Sequence, residues 1–396
     1  MTEDTSSRGA SYADRALLPE GLRDDLPPWA EYEATIVERL LATFAARGYE
    51  RVAPPLIEFE ESLLAGPGSA HSKRLFRLLD PDSQRVMALR TDMTQQVARI
   101  AETRLSDRPR PLRLSYAGHV LRVKGSQLRP TRQFRQAGVE LIGSGAREAD
   151  LEIMTLAREA LETIGVAGLT IDLTAPRLVS TLADRFGLSD EALATARQAL
   201  DTKDVGALDA LDGPACGLLK GLLEAAGPAR GALDRLAALD LPDDARAIVD
   251  QLADIAADLM ARDPDLVVTV DPGEYRGFEY KTGVGFAVFA RGVRGELARG
   301  GRYDALGADG QTEPATGFSL YLDSLLRALP TPSPVDRVYL PFGTDPDEGA
   351  RLRRDGWRTV QGLEPAGDAA AQARRLGCSH MLKDGSVMPL AREPAD

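Results

Sequence analysis

After Pro27-Pro28, Tyr32, Ile36, Leu40 and Phe44 recur at four-residue spacing and predict a helix with one apolar face, ended at Gly48. Val52 to Ile57 reads as a strand interrupted by Pro54 and Pro55, and proline belongs at an edge or an interface. Alternation and β-branched or aromatic content predict strands at Arg85–Arg90, Leu112–Ala117, His119–Val123 and Arg132–Ile142. Leu151, Met154, Ala157 and Leu161 form one stripe of a helix over Glu148–Ile164, and Leu169–Leu173 is a short strand. From Pro176 to Arg262 the pattern changes to Ala, Leu and Asp with breaks at Gly213-Pro214 and Gly227-Pro228, which reads as a helical insertion. Strand character returns at Leu266–Val270, Gly285–Ala290 and Gly295–Ala298. Beyond a linker at Thr331-Pro-Ser-Pro334, a strand–helix–strand–helix–strand pattern covers Val338–Pro341, Asp347–Asp355, Thr359–Gln361, Asp368–Leu376 and His380–Leu382. The expected organisation is an arm at 1–28, a core at 29–330 with the insertion at about 176–262, and a small truncated α/β domain at 335–396.

Composition narrows the class without changing that outline. At 43% hydrophobic and 27% charged residues, the chain is neither disordered nor fibrous. No window of about 18 apolar residues occurs, so no membrane helix is expected. The polar start, MTEDTSSRGA, is unlike a secretory signal, and Cys216 and Cys378 stand alone; a cytoplasmic location fits both. His71, His119 and His380 are scattered, which leaves little material for a metal site or a Ser-His-Asp triad. A net charge of -12 argues against broad nucleic-acid binding but permits a local basic patch.

Gly143-Ser-Gly145 starts like a dinucleotide loop, but Glu148 stands where the third glycine belongs, so it reads as a turn. Ser69 and Ser72 beside His71 read as loop polarity. Ten basic residues between Arg104 and Arg147 face only Asp107 and Glu140, a concentration suited to phosphate or carboxylate. Arg276-Gly-Phe-Glu-Tyr280 and Gly300-Gly-Arg-Tyr-Asp304 combine paired glycines with Arg, aromatic and carboxylate groups; this pattern allows close approach to a small polar ligand or marks a glycine-rich hairpin turn. Leu89-Arg-Thr-Asp-Met-Thr94 offers Asp92 to an ammonium group.

Together and in this order, these clusters resemble the core of class II aminoacyl-tRNA synthetases, most closely histidyl-tRNA synthetase. Gly48-Tyr49 with Pro55 and Glu58 is similar to the first class II motif, which builds the dimer interface. Arg122 to Gly143, containing Arg132-Gln-Phe-Arg-Gln-Ala-Gly-Val-Glu140, is similar to the histidine-type second motif, and Ala315-Thr-Gly-Phe318 to the opening of the third. The clusters at Arg276 and Gly300 resemble the two histidine-specific signatures. The likeness spans roughly residues 15 to 330. It implies an α+β fold: a class II antiparallel sheet flanked by helices, with a helical insertion and a small C-terminal α/β unit. It also implies that Asp92, Thr94 and Gln136 hold an α-ammonium, Glu140 faces an imidazole, Arg276 takes the carboxylate, and Tyr280 and Tyr303 form walls.

The departures are specific. Arg122 is kept as a phosphate contact, but the family's adenine-binding Glu is Lys124, a donor with no acceptor to offer an amine. The family's third-motif Arg is Ser324. Each lost charged contact is worth about 1.5–3 kcal/mol, so the ATP site is degraded. Asp92 is one methylene shorter than the family's usual Glu, and Lys281 replaces an aromatic. The C-terminal stretch carries nine basic and ten acidic residues, a poor surface for tRNA.

A retained amino-acid pocket beside a degraded ATP site resembles the regulatory subunit of ATP phosphoribosyltransferase. That resemblance implies a non-catalytic chain with the short-form catalytic subunit as partner and L-histidine as effector. It further implies a homodimer within a hetero-oligomer, and no cofactor, metal or membrane. An active histidyl-tRNA synthetase and an amino-acid sensor with another partner remain open alternatives.

Overall fold

The computed structural model describes residues 17–64, 75–125, 130–211, 213–275, 280–306 and 312–391. Two compact units divide the chain, Met1–Pro330 and Thr331–Asp396.

In the larger unit the first elements are α1 (Trp29–Ala46), β1 (Glu50–Arg51), β2 (Ile57–Phe59), α2 (Glu60–Leu63), β3 (Arg77–Leu79), β4 (Val86–Leu89) and α3 (Thr94–Thr103). They are followed by β5 (Leu112–Leu121), β6 (Gln133–Ile142), α4 (Arg147–Ile164) and β7 (Leu169–Thr174). The Ala/Leu-rich stretch folds as α5 (Pro176–Phe186), α6 (Asp190–Thr202), α7 (Val205–Asp209), α8 (Pro214–Ala225), a two-residue strand β8 (Gly227–Pro228), α9 (Ala229–Ala238) and α10 (Asp243–Arg262). The unit ends with β9 (Val267–Asp271), β10 (Lys281–Ala290), β11 (Ala298–Leu306), β12 (Thr312–Tyr321) and α11 (Leu322–Ala328).

Nine strands make the main sheet in the order β1-β5-β6-β12-β11-β10-β7-β9-β8. The six strands from β5 to β7 are antiparallel to their neighbours, and parallel pairs occur only at β1–β5 and β7–β9. The period of two decides which side is which. In β6, Ala137, Val139 and Leu141 join a core with Ile36, Leu40 and Phe44 of α1 and with Met154, Ala157 and Leu161 of α4. The same core takes the buried stripe of α10, Val249, Leu252, Ile255, Ala256 and Leu259. On the opposite face, Phe134 and Ile142 of β6 pack with Leu112, Leu114, Tyr116 and Val120 of β5, with Tyr303 of β11 and with Val97 of α3. The helices α1, α4 and α10 therefore cover one face, and the other, against which α3 packs, carries the ligand-type residues.

Several boundaries differ from the sequence expectation. β5 is one ten-residue strand rather than two, because Gly118 lets the Arg90 guanidinium lie across it: a Cβ there would overlap Arg90 Nη2. Arg90, 5% exposed, donates to His119 O at 2.7 Å and to Pro54 O at 2.9 Å, and so ties the proline-containing segment to the sheet. The expected strand at Gly295–Ala298 begins only at Ala298, and the glycine pair Gly300-Gly301 sits inside β11 rather than in a turn. β12 has no counterpart in the sequence reading beyond the motif at Ala315–Phe318.

The smaller unit contains β13 (Arg337–Leu340), α12 (Pro346–Arg354), β14 (Arg358–Gln361), α13 (Ala369–Arg375), β15 (His380–Lys383) and β16 (Ser386–Pro389). Its sheet runs β14-β13-β15-β16, with the first three parallel and β16 antiparallel. Asp345 caps α12 by accepting from Asp347 N at 2.9 Å. Among the described residues no helix is long and apolar enough to cross a membrane.

Candidate functional site

Registration across the sheet sets the site. Gly285 of β10 lies opposite Gly301 of β11, Gly301 opposite Gly317 of β12, and Gly317 opposite Glu140 of β6. Residues directly across a ladder point to the same face, so three side-chain-free positions form a lane running up to the Glu140 carboxylate. A Cβ at Gly317 would overlap Glu140 Oε2, and Gly301 is held at φ +135° with Gly285 and Val284 against it.

Glu140 is 1% exposed and is held from both sides. Tyr116 OH donates to its Oε1 at 3.2 Å, and Tyr303 OH donates to its Oε2 at 2.9 Å. Burial pushes the Glu140 carboxyl above its ordinary range, and the neighbouring Lys281 ammonium pulls it back. Asp92 sits in the turn before α3, where its Oδ1 accepts from Thr94 N at 2.8 Å. Gln136, on the Glu140 face of β6, donates to Asp92 Oδ2 at 2.7 Å and to Ser319 Oγ at 2.6 Å, and accepts from Met93 N at 3.0 Å. Thr94 Oγ1 lies 3.4 Å from Tyr116 OH, which closes a connected network from Asp92 to Glu140. The rings of Tyr280 and Tyr303 meet edge to face at 5.9 Å, and the Lys281 Nζ sits over both, at 4.8 and 5.2 Å.

Asp92, Thr94, Gln136, Glu140, Tyr280 and Tyr303 thus converge. Arg276 lies outside the described residues, as do Arg129, Ser69, His71 and Ser72. Tyr116 and Ser319 belong to the network and were not singled out from sequence. The usable signal for Tyr116 is its place beside Leu112 and Leu114 on one face of the expected strand Leu112–Ala117; for Ser319 it is strand β12, which the sequence reading lacks.

The strand end leading to residue 276 is gripped by the insertion. Lys203 pairs with Asp271, Asp201 accepts from Tyr275 N at 3.2 Å, and the Arg197 guanidinium stacks 3.9 Å from the Tyr275 ring centre. Beside this grip, burial pushes the Glu274 carboxyl up to about 7, with Arg299 offsetting part of the shift. A carboxyl that holds its proton more tightly when folded favours the folded state at low pH; stability then falls as pH rises between the unfolded and folded pKa values, from about 4.5 to about 7. Glu274→Gln should flatten that fall and raise the unfolding free energy at pH 8 by about 1–3 kcal/mol, measured by urea unfolding at pH 5, 6, 7 and 8.

Of the two positions where the sequence departs from the family's ATP contacts, Ser324 is fully buried and its hydroxyl accepts from Arg327 Nη2 at 3.1 Å, whereas Lys124 is exposed. The Arg122 guanidinium sits 4.8 Å from the Phe134 ring centre, and Tyr321 packs edge-on against the same ring at 6.3 Å. Five of the ten residues of the basic cluster pair with carboxylates distant in sequence. Arg108 pairs with Glu50, Arg110 with Glu313 and Arg113 with Glu152, each at 2.8 Å; Arg135 pairs with Glu33 at 3.2 Å and Arg147 with Asp254 at 2.9 Å. Arg302 of the second signature points away from the lane. It donates to Asp150 Oδ2 at 2.9 Å and to the carbonyls of Ser144 and Ala146 at 2.8 and 2.9 Å, which anchors the turn into α4.

A helix-backed antiparallel sheet carrying such a network on its other face is the architecture of a class II synthetase core. The family model described as histidyl-tRNA synthetase matches residues 21–325. A solved chain from Bacillus halodurans, described as an ATP phosphoribosyltransferase regulatory subunit/histidyl-tRNA synthetase, is similar at TM-score 0.79 and 25% identity, covering 91% of this chain and 96% of that one. The chain is 54% identical over 394 residues to the ATP phosphoribosyltransferase regulatory subunit of Rhodospirillum centenum, covering 100% of both. It is 53% identical over 376 residues to that of Paramagnetospirillum magneticum, covering 95% of this chain and 98% of the relative. The chain belongs to the family of ATP phosphoribosyltransferase regulatory subunits, non-catalytic proteins of histidine biosynthesis on a histidyl-tRNA synthetase-like fold.

Proposed function

We propose that this chain, in the cytoplasm, binds the short-form catalytic subunit of ATP phosphoribosyltransferase, activates it, and reports L-histidine to it through the pocket over the glycine lane. The observation that carries the effector assignment is the intact network from Asp92 through Gln136 and Tyr116 to Glu140. Asp92, Thr94 and Gln136 receive the α-ammonium, Glu140 accepts from the imidazole, and Arg276 meets the carboxylate. Tyr280 and Tyr303 supply amphipathic walls. Arg122 is left as the one phosphate-type contact beside the exposed Lys124 and the buried Ser324. Feedback requires histidine to bind the inhibited assembly more tightly than the active one, and a coupling of about 1–3 kcal/mol is enough. The assembly is a homodimer of this chain within a hetero-oligomer, with the first-motif region around Pro55 at the dimer contact and tRNA not a partner.

Two measurements on the purified chain test the reading. Calorimetry should show saturable binding of L-histidine, and histidine-dependent exchange of pyrophosphate into ATP should be absent. Exchange at a synthetase-like rate would replace the regulatory reading with an active synthetase, and absence of histidine binding would remove the effector assignment.

A further inference from the structure

The pocket holds one charged group that a histidine site of this design does not require. Lys281 is 6% exposed, and its Nζ donates to Gly301 O at 2.9 Å, in the middle of the glycine lane. The rings of Tyr280 and Tyr303 flank it. Among the described residues, the charged groups that act on it electrostatically are Glu140 from β6, Asp92 from the turn before α3, Arg299 from β11 and, from α4 beyond the sheet, Asp150. Among these, Glu140 and Asp92 act most strongly, and both are carboxylates of the pocket.

We propose that Lys281 determines the specificity of the pocket: it supplies the positive charge opposite Glu140, so the site takes an amino acid whose side chain is an uncharged heterocycle and turns away lysine, arginine and the imidazolium form of histidine. The inference rests on the reading of the pocket as an amino-acid site.

Glu140 and Asp92 bring two negative charges and Lys281 one positive charge. The α-ammonium of an amino acid on Asp92 completes the balance, so a second cation on the ligand would lie beside Lys281 with no carboxylate left to itself. A buried uncompensated charge is costly, which makes this an exclusion rather than a mild preference.

Hydrogen-bond chemistry points the same way. Each Glu140 oxygen already accepts one tyrosine hydroxyl and keeps acceptor capacity for a ligand N–H. Among the described residues, one of the three Lys281 donors is taken, by Gly301 O. An acceptor and a donor at one end of the pocket match a neutral imidazole, which carries one N–H and one bare nitrogen; an imidazolium has two N–H groups and no acceptor. Burial pushes the Lys281 ammonium down from its ordinary value, while Glu140 and Asp92 hold it up.

The test is calorimetric titration of the full-length chain and of Lys281→Met with L-histidine, L-lysine and L-arginine at pH 5.5, 7.0 and 8.5. Wild-type affinity for histidine should rise as the free imidazole loses its proton near pH 6.5, and lysine and arginine should not bind. Lys281→Met should lose about 10–100-fold in histidine affinity at pH 7.0 and bind better at pH 5.5, where the imidazolium replaces the missing charge. Wild-type binding that is pH-independent or stronger at pH 5.5, or a variant with the wild-type profile, would overturn the inference while leaving the amino-acid pocket in place. Failure of wild type to bind histidine at any pH would overturn both. The wild-type profile and its selectivity decide the matter even if Lys281→Met does not fold.

Discussion

Gly317→Ala is expected to abolish histidine binding and to lower the unfolding free energy by about 3–5 kcal/mol. The residue sits mid-strand, paired to Gly301 on one side and Glu140 on the other. A methyl group there would overlap Glu140 Oε2 and the Val139 carbonyl oxygen, and neither can easily give way. Val139 O belongs to a strand hydrogen-bonded on both sides, and the Glu140 carboxylate is pinned by Tyr116 and Tyr303. Overpacking a rigid core costs about 1–3 kcal/mol, and tearing a buried carboxylate from its donors adds about 1–3 more. Urea unfolding and histidine calorimetry on the same preparation read both effects. A loss below about 1 kcal/mol with normal binding would mean that the lane is not the floor of the pocket.

The second large effect is expected at Arg302, whose role is structural although it stands in a ligand-type signature. Arg302→Met removes the guanidinium facing Asp150, a carboxylate 1% exposed whose Oδ1 has no hydrogen-bond partner among the described residues. Breaking a buried pair from one side leaves an uncompensated charge and costs about 3–5 kcal/mol. Burial already pushes the Asp150 carboxyl up, and Arg302 is the main group opposing that shift. Without Arg302 the folded state holds the Asp150 proton more tightly still, so the deficit should shrink as pH falls and grow as pH rises. Asp150→Asn in the same chain should recover part of the loss, because the stranded charge is then gone; a double variant no more stable than Arg302→Met would refute this account of the pair.

Much of this architecture is legible in the chain. The stripes of α1 and α4 are plain in the spacing of Ile36, Leu40 and Phe44 and of Met154, Ala157 and Leu161, because a helix face is a local property. The alternation Phe134–Gln136–Glu140 places two pocket residues on one face of β6 for the same reason. The glycine lane is not legible. Glycine lowers strand propensity, so Gly300-Gly301 reads as possible turn material, although a Cβ at Gly300 would overlap Phe286, one at Gly301 would overlap Gly285 and one at Gly317 would overlap Glu140. Gly118 misleads in the same way, since its reason is Arg90, a contact across 28 residues of chain. The basic cluster looked free for anions because its partners, Glu50, Glu152, Asp254 and Glu313, reach it only through the fold.

The most direct measurement is phosphoribosyl transfer by the short catalytic subunit from the same cell, with and without this chain, followed by titration of L-histidine. The chain should raise the rate, and histidine should lower it again. An unchanged rate with folded chain in excess would contradict the regulatory role, and activation that histidine does not reverse would contradict the pocket as its sensor.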